Sequence, residues 1–142
     1  MWSLIVQKIC LLSYLLICSI SDIGDMCISV RISLVFGAAG IVFCFGSGMQ
    51  VSSIIESLIP GLTILGIAKF TDEAGEGDAV MLFVIGIFLG RINTFVILFI
   101  AVSLAFSIGG LIILCNGTKK KEIPFAPFLF GGYITAILTG AV

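Results

Sequence analysis

The sequence contains no histidine and few charged residues. Its 142 residues include 7 Lys and Arg and 8 Asp and Glu, or 11% of the chain, whereas 60% of the residues are hydrophobic. Soluble domains carry roughly a quarter charged residues, so this composition excludes a soluble globular enzyme and a disordered chain. The net charge of −1 excludes a basic nucleic-acid-binding surface. Without histidine, neither a Ser-His-Asp triad nor a histidine metal site can form.

The charges that are present fall mainly into three short windows, 22–31, 69–78 and 119–122. Long uncharged stretches separate these windows. A helix crossing a bilayer needs about 20 apolar residues, and its backbone must be hydrogen-bonded within the segment. We therefore expect an all-α integral membrane protein, a bundle of six transmembrane helices forming a single domain over 1–142. The predicted crossings are 4–21, 28–47, 50–68, 74–90, 92–115 and 124–142.

The basic residues predict how these helices are oriented. Most of the Lys and Arg residues fall in the loops after the first, third and fifth predicted crossings. These residues are Arg31, Lys69 and Lys119 to Lys121. Basic loops favour the cytoplasmic side of a membrane. We therefore expect a multi-pass protein of the plasma membrane, with these loops in the cytoplasm and both termini outside.

With no histidine, acid–base chemistry must fall to carboxylates. Asp22 closes the first predicted crossing, and Asp78 opens the fourth at the end of Gly-Glu-Gly-Asp. Acids near or inside a bilayer are costly and are candidates for function, and Gly75 and Gly77 would leave room for a substrate strand beside Asp78. The alternative is that these acids face water at helix ends, where an acid near an N-terminus is favourable.

Two aspartates on one side of the membrane suggest a specific chemistry. Carboxylates about 3 Å apart cannot both ionise, so they share one proton. The ionised carboxylate takes a proton from water while the other donates to a peptide carbonyl. This chemistry requires no metal and no organic cofactor, and we predict none.

Three stretches in order resemble the type IV prepilin peptidases, membrane aspartic proteases that mature prepilins and preflagellins. Ser21-Asp22 precedes Ile28 by the family's spacing, 75–78 matches its GxGD, and Ile-Pro-Phe-Ala-Pro at 123–127 matches its IPFxP element. The resemblance implies that Asp22 and Asp78 are the catalytic pair. It also implies a prepilin-like protein substrate with a short basic leader, cut after a glycine at the cytoplasmic face.

The chain resembles the minimal form of that family. It has neither a cysteine-rich insertion nor a CxxC pair, which the members that also methylate the new N-terminus possess. We therefore expect a peptidase without methyltransferase activity.

Further residues are expected to shape the site or bind the substrate. Pro124 and Pro127 suit the first turn of the last helix. Asp72 and Glu73 lie in a negative loop, from Lys69 to Asp78, that could attract a basic leader. Solvation of these exposed charges is the alternative.

The remaining acids receive other interpretations. Asp25 could replace Asp22 as the first catalytic acid, although Arg31 and not an isoleucine then stands six residues later. Glu76 occupies the variable position of the GxGD match and is interpreted as solvated. Glu56 lies inside the third predicted crossing, where snorkelling or pairing with Arg91 is expected.

Three other functions are compatible with the sequence. A small transporter or channel would also carry intramembrane acids, although usually near the bilayer midplane. A presenilin-like intramembrane protease would share the GxGD match, but the element at 123–127 resembles the prepilin enzymes. A catalytically inactive assembly partner is disfavoured by the presence of both aspartates.

Overall fold

The computed structural model of the protein is helical in the part that it describes. It describes residues 2–25, 28–46, 48, 50–71, 76–116 and 124–141, with side chains at all of these except 2–4, 25, 71, 76 and 112–116. No β-strand occurs within these ranges, so the all-α prediction is confirmed. The helices are α1 (Trp2–Asp25), α2 (Val30–Gly46), α3 (Val51–Ser57), α4 (Ile59–Thr71), α5 (Glu76–Asn116) and α6 (Ala126–Leu138).

The third predicted crossing, 50–68, is interrupted next to Pro60. A proline has no main-chain N–H and cannot donate to the carbonyl four residues earlier. α3 accordingly ends at Ser57, and α4 begins after the single turn residue Leu58. The N–H of Leu58 donates to the carbonyl of Ile55 at 3.2 Å, which tightens the last turn. The sequence analysis expected one continuous helix here, and the proline is the reason for the difference.

α5 is broken at Gly90, whose φ of 79° and ψ of 172° are not helical. This positive φ suits glycine, which has no Cβ to clash. A helix that ends leaves its last carbonyls without main-chain partners. Side chains take up three of these carbonyls, in the pairs Cys44 to Ile87 (3.1 Å), Gln7 to Phe88, and Asn93 to Leu89 (3.1 Å). These three carbonyls therefore have side-chain partners where one helical half ends and the next begins.

The two halves of α5 run in different directions from Gly90. A Cβ at Gly132 would lie 3.0 Å from the carbonyl oxygen of Ile97, so these residues touch. Gly132 is only about 9 Å along α6 from the first residue of that helix. This first residue contacts Asp22, which lies near Asp78. A straight α5 would carry Ile97 about 28 Å beyond Asp78, out of reach of Gly132. The change of direction lies close to the boundary between the fourth and fifth predicted crossings.

The core lies where α1, α5 and α6 meet, and small residues bring the other helices close. A Cβ at Gly86 would collide with the carbonyl oxygen of Ser57, so the end of α3 packs directly against α5. Such close backbone approach favours van der Waals packing, one of the sources of attraction between helices in lipid. The large side chains buried in this core include Leu11, Tyr14, Leu15, Met81, Leu82, Ile85, Ile97, Leu129 and Tyr133.

Within the part of the chain that the structure describes, three helical stretches are long and apolar enough to cross a membrane. By length and composition these are Ile5–Gly24, Val51–Phe70 and Gly77–Leu111. Two shorter apolar helices, Val30–Gly46 and Ala126–Leu138, accompany them. The protein is thus a membrane protein, as its composition predicted.

Candidate active site

Asp22 lies near the end of α1, on the face of that helix that packs into the bundle. Tyr14, Cys18 and Asp22 follow one another at intervals of four residues and share this face. All three are buried, and Asp22 has only 7% of its surface exposed. A carboxylate at that depth is costly unless a polar group accompanies it.

The polar group that contacts Asp22 is a main-chain N–H at the start of α6. The N–H of Ala126 donates to Oδ2 of Asp22 at 2.9 Å. Ala126 is the first residue of α6, and the first N–H groups of a helix have no partner within it. The bond therefore satisfies both groups and joins the end of α1 to the start of α6.

Asp78 lies in the first turn of α5, as the sequence analysis expected. It is half-buried, between Gly77 and the fully buried Ala79. The two carboxylates are close enough for the charge of Asp22 to act on Asp78. The structure thus brings together the two acids that the sequence analysis selected, at the same end of the bundle.

Gly77 is packed by a residue that follows α1. A Cβ at Gly77 would lie 3.1 Å from both Cβ and Cδ1 of Ile28, which is closer than side-chain carbons normally approach. Ile28 is the residue whose spacing from Asp22 contributed to the family resemblance. The segment after Asp22 therefore rests on the residue before Asp78.

The two prolines expected at the start of the last helix have different positions. Pro127 is the second residue of α6, where its missing N–H costs no helical hydrogen bond. Pro124 lies before the helix. The sequence analysis missed the contact of Ala126 with Asp22, although a helix starting there has an N–H at its first residue without a partner in the helix.

Several predicted site residues cannot be placed. Gly75, Asp72 and Glu73 lie outside the described residues, as do the lysines at 119–121. The main chains of Asp25 and Glu76 form the end of α1 and the start of α5, but their side chains lie outside the described part.

A second charged group occupies the other end of the helices. Nη1 of Arg91 lies 3.7 Å from Oε2 of Glu56, and both side chains are about half exposed, at 45% and 56%. The pair borders an open cleft of about 320 Å³ that also includes Ser53, Gly90 and Asn93. Arg91 is about 20 Å along α5 from Asp78, so this pair is remote from the aspartates. The expected pairing of Glu56 with Arg91 is confirmed.

Within the described residues, the aspartate site contains two acids and a main-chain donor. Among the described residues, no three His, Cys, Asp or Glu side chains cluster closely enough to hold a metal ion. Two adjacent carboxylates can share a proton and can pass protons to and from a water and a carbonyl oxygen.

Comparison with known proteins identifies the family. The sequence model of the type IV leader peptidase family matches residues 9–115, which include both Asp22 and Asp78. The chain belongs to the type IV leader peptidase family. The protein is accordingly a peptidase related to the type IV leader peptidases. No curated protein and no solved structure matches the chain.

The family match covers most of the membrane-spanning stretches but not the last helix. It ends before Pro124 and Ala126. The contact between Ala126 and Asp22 is therefore a structural link between the matched region and the segment that follows it.

Proposed function

We propose that the protein is an aspartic endopeptidase that removes the short basic leader of prepilin-like proteins, with Asp22 and Asp78 as its catalytic pair. The observation that carries this proposal is that the charge of Asp22 acts on Asp78 at one end of the bundle, in a chain of the type IV leader peptidase family. The pair is sheltered, since Asp22 is 7% exposed, whereas Asp78 is only partly buried and remains accessible to an approaching peptide.

The proposed reaction is direct attack by water. One aspartate is ionised and takes a proton from the water as the water oxygen bonds to the scissile carbonyl carbon. The other aspartate is protonated and donates its proton to the carbonyl oxygen, giving a neutral tetrahedral diol. Breakdown then returns a diol proton to an aspartate while the peptide nitrogen is protonated by the other, so the carbon–nitrogen bond breaks and the pair regains its single shared proton.

In the proposed membrane arrangement the chain crosses six times, with both termini outside and the aspartates at the cytoplasmic face of the plasma membrane. The change of direction at Gly90 supports two crossings within α5, because Gly77–Leu111 would span about 50 Å as a straight helix, against about 30 Å of hydrocarbon. Single cysteines at positions 2 and 141, in a cysteine-free background, should react with an impermeant reagent from outside. A cysteine at 120 should react only after the membrane is opened, and external labelling there would reverse the proposed orientation.

The catalytic pair is tested by co-expression with a prepilin and by following the loss of its leader on a gel. Asp22→Asn and Asp78→Asn should each abolish cleavage without loss of the inserted protein. The double variant should be no worse than either single variant, because the two acids act as one unit. Glu56→Gln is the matched control, since it makes the same chemical change at the other end of the helices and should leave cleavage intact.

The same assay separates this proposal from its alternatives. Normal cleavage by Asp22→Asn together with inactivity of Asp25→Asn would move the first acid to Asp25. Activity that is lost on chelation and restored by zinc would overturn the aspartyl mechanism, which uses no metal. We also propose that the protein is a peptidase only, so the purified protein should not methylate the mature N-terminus.

A further inference from the structure

The start of α6 touches Asp22 through its main chain and not through a side chain. The donor is the N–H of Ala126, the acceptor is Oδ2 of Asp22, and the distance is 2.9 Å. Ala126 is fully buried and Asp22 is 7% exposed, so water does not compete freely for either atom. The bond therefore requires that the end of α1 and the start of α6 keep their relative positions.

We propose that the main-chain N–H of Ala126 is a positioning group of the active site, which holds Oδ2 of Asp22 and leaves Oδ1 to face Asp78 and the attacking water. This inference rests on the proposed function, because it assigns a task within that dyad. In this proposal, the carboxylate of Asp22 is the member of the pair that is held in one orientation.

Rotation of the carboxylate is the motion that this bond restrains. The last torsion of an aspartate side chain is broad, unlike the staggered torsions of aliphatic side chains. Without a fixed donor, the two oxygens of Asp22 would exchange places by rotation. With Oδ2 occupied as an acceptor, the shared proton of the dyad is directed to the Oδ1 side, between the two aspartates. Proton transfer depends on such placement within hydrogen-bond reach.

The geometry of a helix start explains why a main-chain N–H can restrain the Asp22 carboxylate. The first N–H groups of a helix point along its axis without partners, and Pro127 at the second position of α6 suits a helix start. α6 is held against α1 by other contacts, including the bond from the Tyr133 hydroxyl to the carbonyl of Lys8 at 3.1 Å. Removing the Ala126 donor should therefore free the carboxylate while α6 stays in place.

A backbone ester isolates the donor from the side chain. Ala126→lactic acid, introduced by nonsense suppression, replaces the N–H with an ester oxygen and keeps the methyl group. The matched control is Phe128→phenyllactic acid, which removes the N–H that donates to the carbonyl of Phe125 at 3.0 Å, while Leu129 still donates to that oxygen at 3.2 Å. Both esters weaken the same helical turn, but only the first touches Asp22.

The two esters should differ in kcat and not in KM. The ester at 126 should lower kcat about 10- to 100-fold, since a lost hydrogen bond to a charged group has effects of that order, with little change in KM. The ester at 128 should stay within about threefold of the parent in both constants. Equal kcat values for the two esters would overturn the proposal.

A spectroscopic measurement tests the bond without relying on activity. The dipeptide Phe125-Ala126 occurs once in the sequence, so carbonyl-labelled phenylalanine with nitrogen-labelled alanine selects the Ala126 amide alone. Asp22→Ala should move the proton resonance of this amide upfield, because its acceptor is lost, and Glu56→Ala should leave it unchanged. An amide that does not respond to Asp22→Ala would also overturn the proposal.

Failure of this inference can be told from failure of the proposed function. If Asp22→Asn and Asp78→Asn retain cleavage, the dyad itself is wrong. If both variants are inactive while the ester at 126 behaves like the ester at 128, the dyad stands and only the positioning role of Ala126 is wrong.

Discussion

The side chain of Ile28 rests against Gly77, the residue immediately before Asp78. A Cβ at Gly77 would come within 3.1 Å of Cβ and Cδ1 of Ile28 and within 3.4 Å of its Cγ1. Ile28 belongs to the short connection between α1 and α2, so this contact joins the chain that follows Asp22 to the helix start that carries Asp78. The second glycine of the GxGD match therefore has a packing role in addition to any role in admitting substrate.

Gly77→Ala should impair cleavage by disturbing this contact. The added methyl group would force Ile28 or the first turn of α5 to move by a few tenths of an ångström. Because small misplacements of catalytic groups are costly, we expect about a tenfold loss of kcat/KM. The measurement is the rate of leader removal by purified protein in detergent or nanodiscs.

Gly66→Ala is the control for this substitution. Gly66 lies inside α4 and a Cβ there would meet nothing within 4 Å, so the change should be neutral or slightly stabilising for the helix. Combining Gly77→Ala with Ile28→Ala removes the contacts of Cδ1 and Cγ1 and should restore part of the rate. Full activity of Gly77→Ala alone would show that the contact does not constrain Asp78.

Gln7→Leu should destabilise the bundle at the break in α5. The Gln7 amide donates to the carbonyl of Phe88, which lies in the last turn before the break at Gly90. An unpaired buried carbonyl costs about 1–3 kcal/mol. Equilibrium unfolding in mixed micelles should show a loss of stability in that range.

Gln50→Leu provides the matched comparison for this polar-to-apolar change. Gln50 is exposed and precedes α3 without a side-chain capping bond, so its replacement should change stability by less than about 0.5 kcal/mol. Equal effects of the two substitutions would mean that Gln7 does not support the Phe88 carbonyl.

The sequence predicted an all-α membrane protein because long uncharged stretches separated by charge clusters can be accommodated in a bilayer as helices. The boundary near Arg91 was visible as a charge between two apolar runs, and the structure places the break one residue earlier, at Gly90. Pro60 was also visible in the sequence, but its effect was missed. The predicted crossing was based on apolar length and did not consider the N–H that proline lacks.

The candidate site was visible in the sequence only where side chains form it. Asp22 and Asp78 stood out as acids at the ends of apolar stretches. The bond from Ala126 to Asp22 was not visible, because any residue except proline supplies a main-chain N–H and its identity carries no signal. The contact of Ile28 with Gly77 depends on how two connections pack, which residue spacing alone does not determine.

The ion pair between Glu56 and Arg91 should be dispensable for cleavage. Its atoms are 3.7 Å apart and both side chains are substantially exposed, and such pairs contribute about 0.2–1 kcal/mol. Arg91 also lies about 20 Å along α5 from Asp78. A double-mutant cycle with Glu56→Gln and Arg91→Gln should therefore give a small coupling energy and near-normal leader removal. Loss of cleavage in both single variants would instead connect this end of the bundle to the reaction.

The loop before Asp78 should help to hold a basic leader. The segment from Lys69 to Asp78 contains four acids and one lysine, and its negative charge would attract basic residues. Lys119 to Lys121, on the same predicted side, would repel the leader unless they face lipid phosphate. Changing both Asp72 and Glu73 to lysine should raise KM more than it lowers kcat, since the attraction acts equally on bound substrate and transition state. The defect should shrink as salt is added, because screening weakens the original attraction and the new repulsion alike. Glu56→Lys places a charge change at the other end of the helices and should leave KM unaltered. If the loop variant keeps its normal KM at low salt, the leader is recognised elsewhere, and Asp72 and Glu73 are ordinary solvated residues.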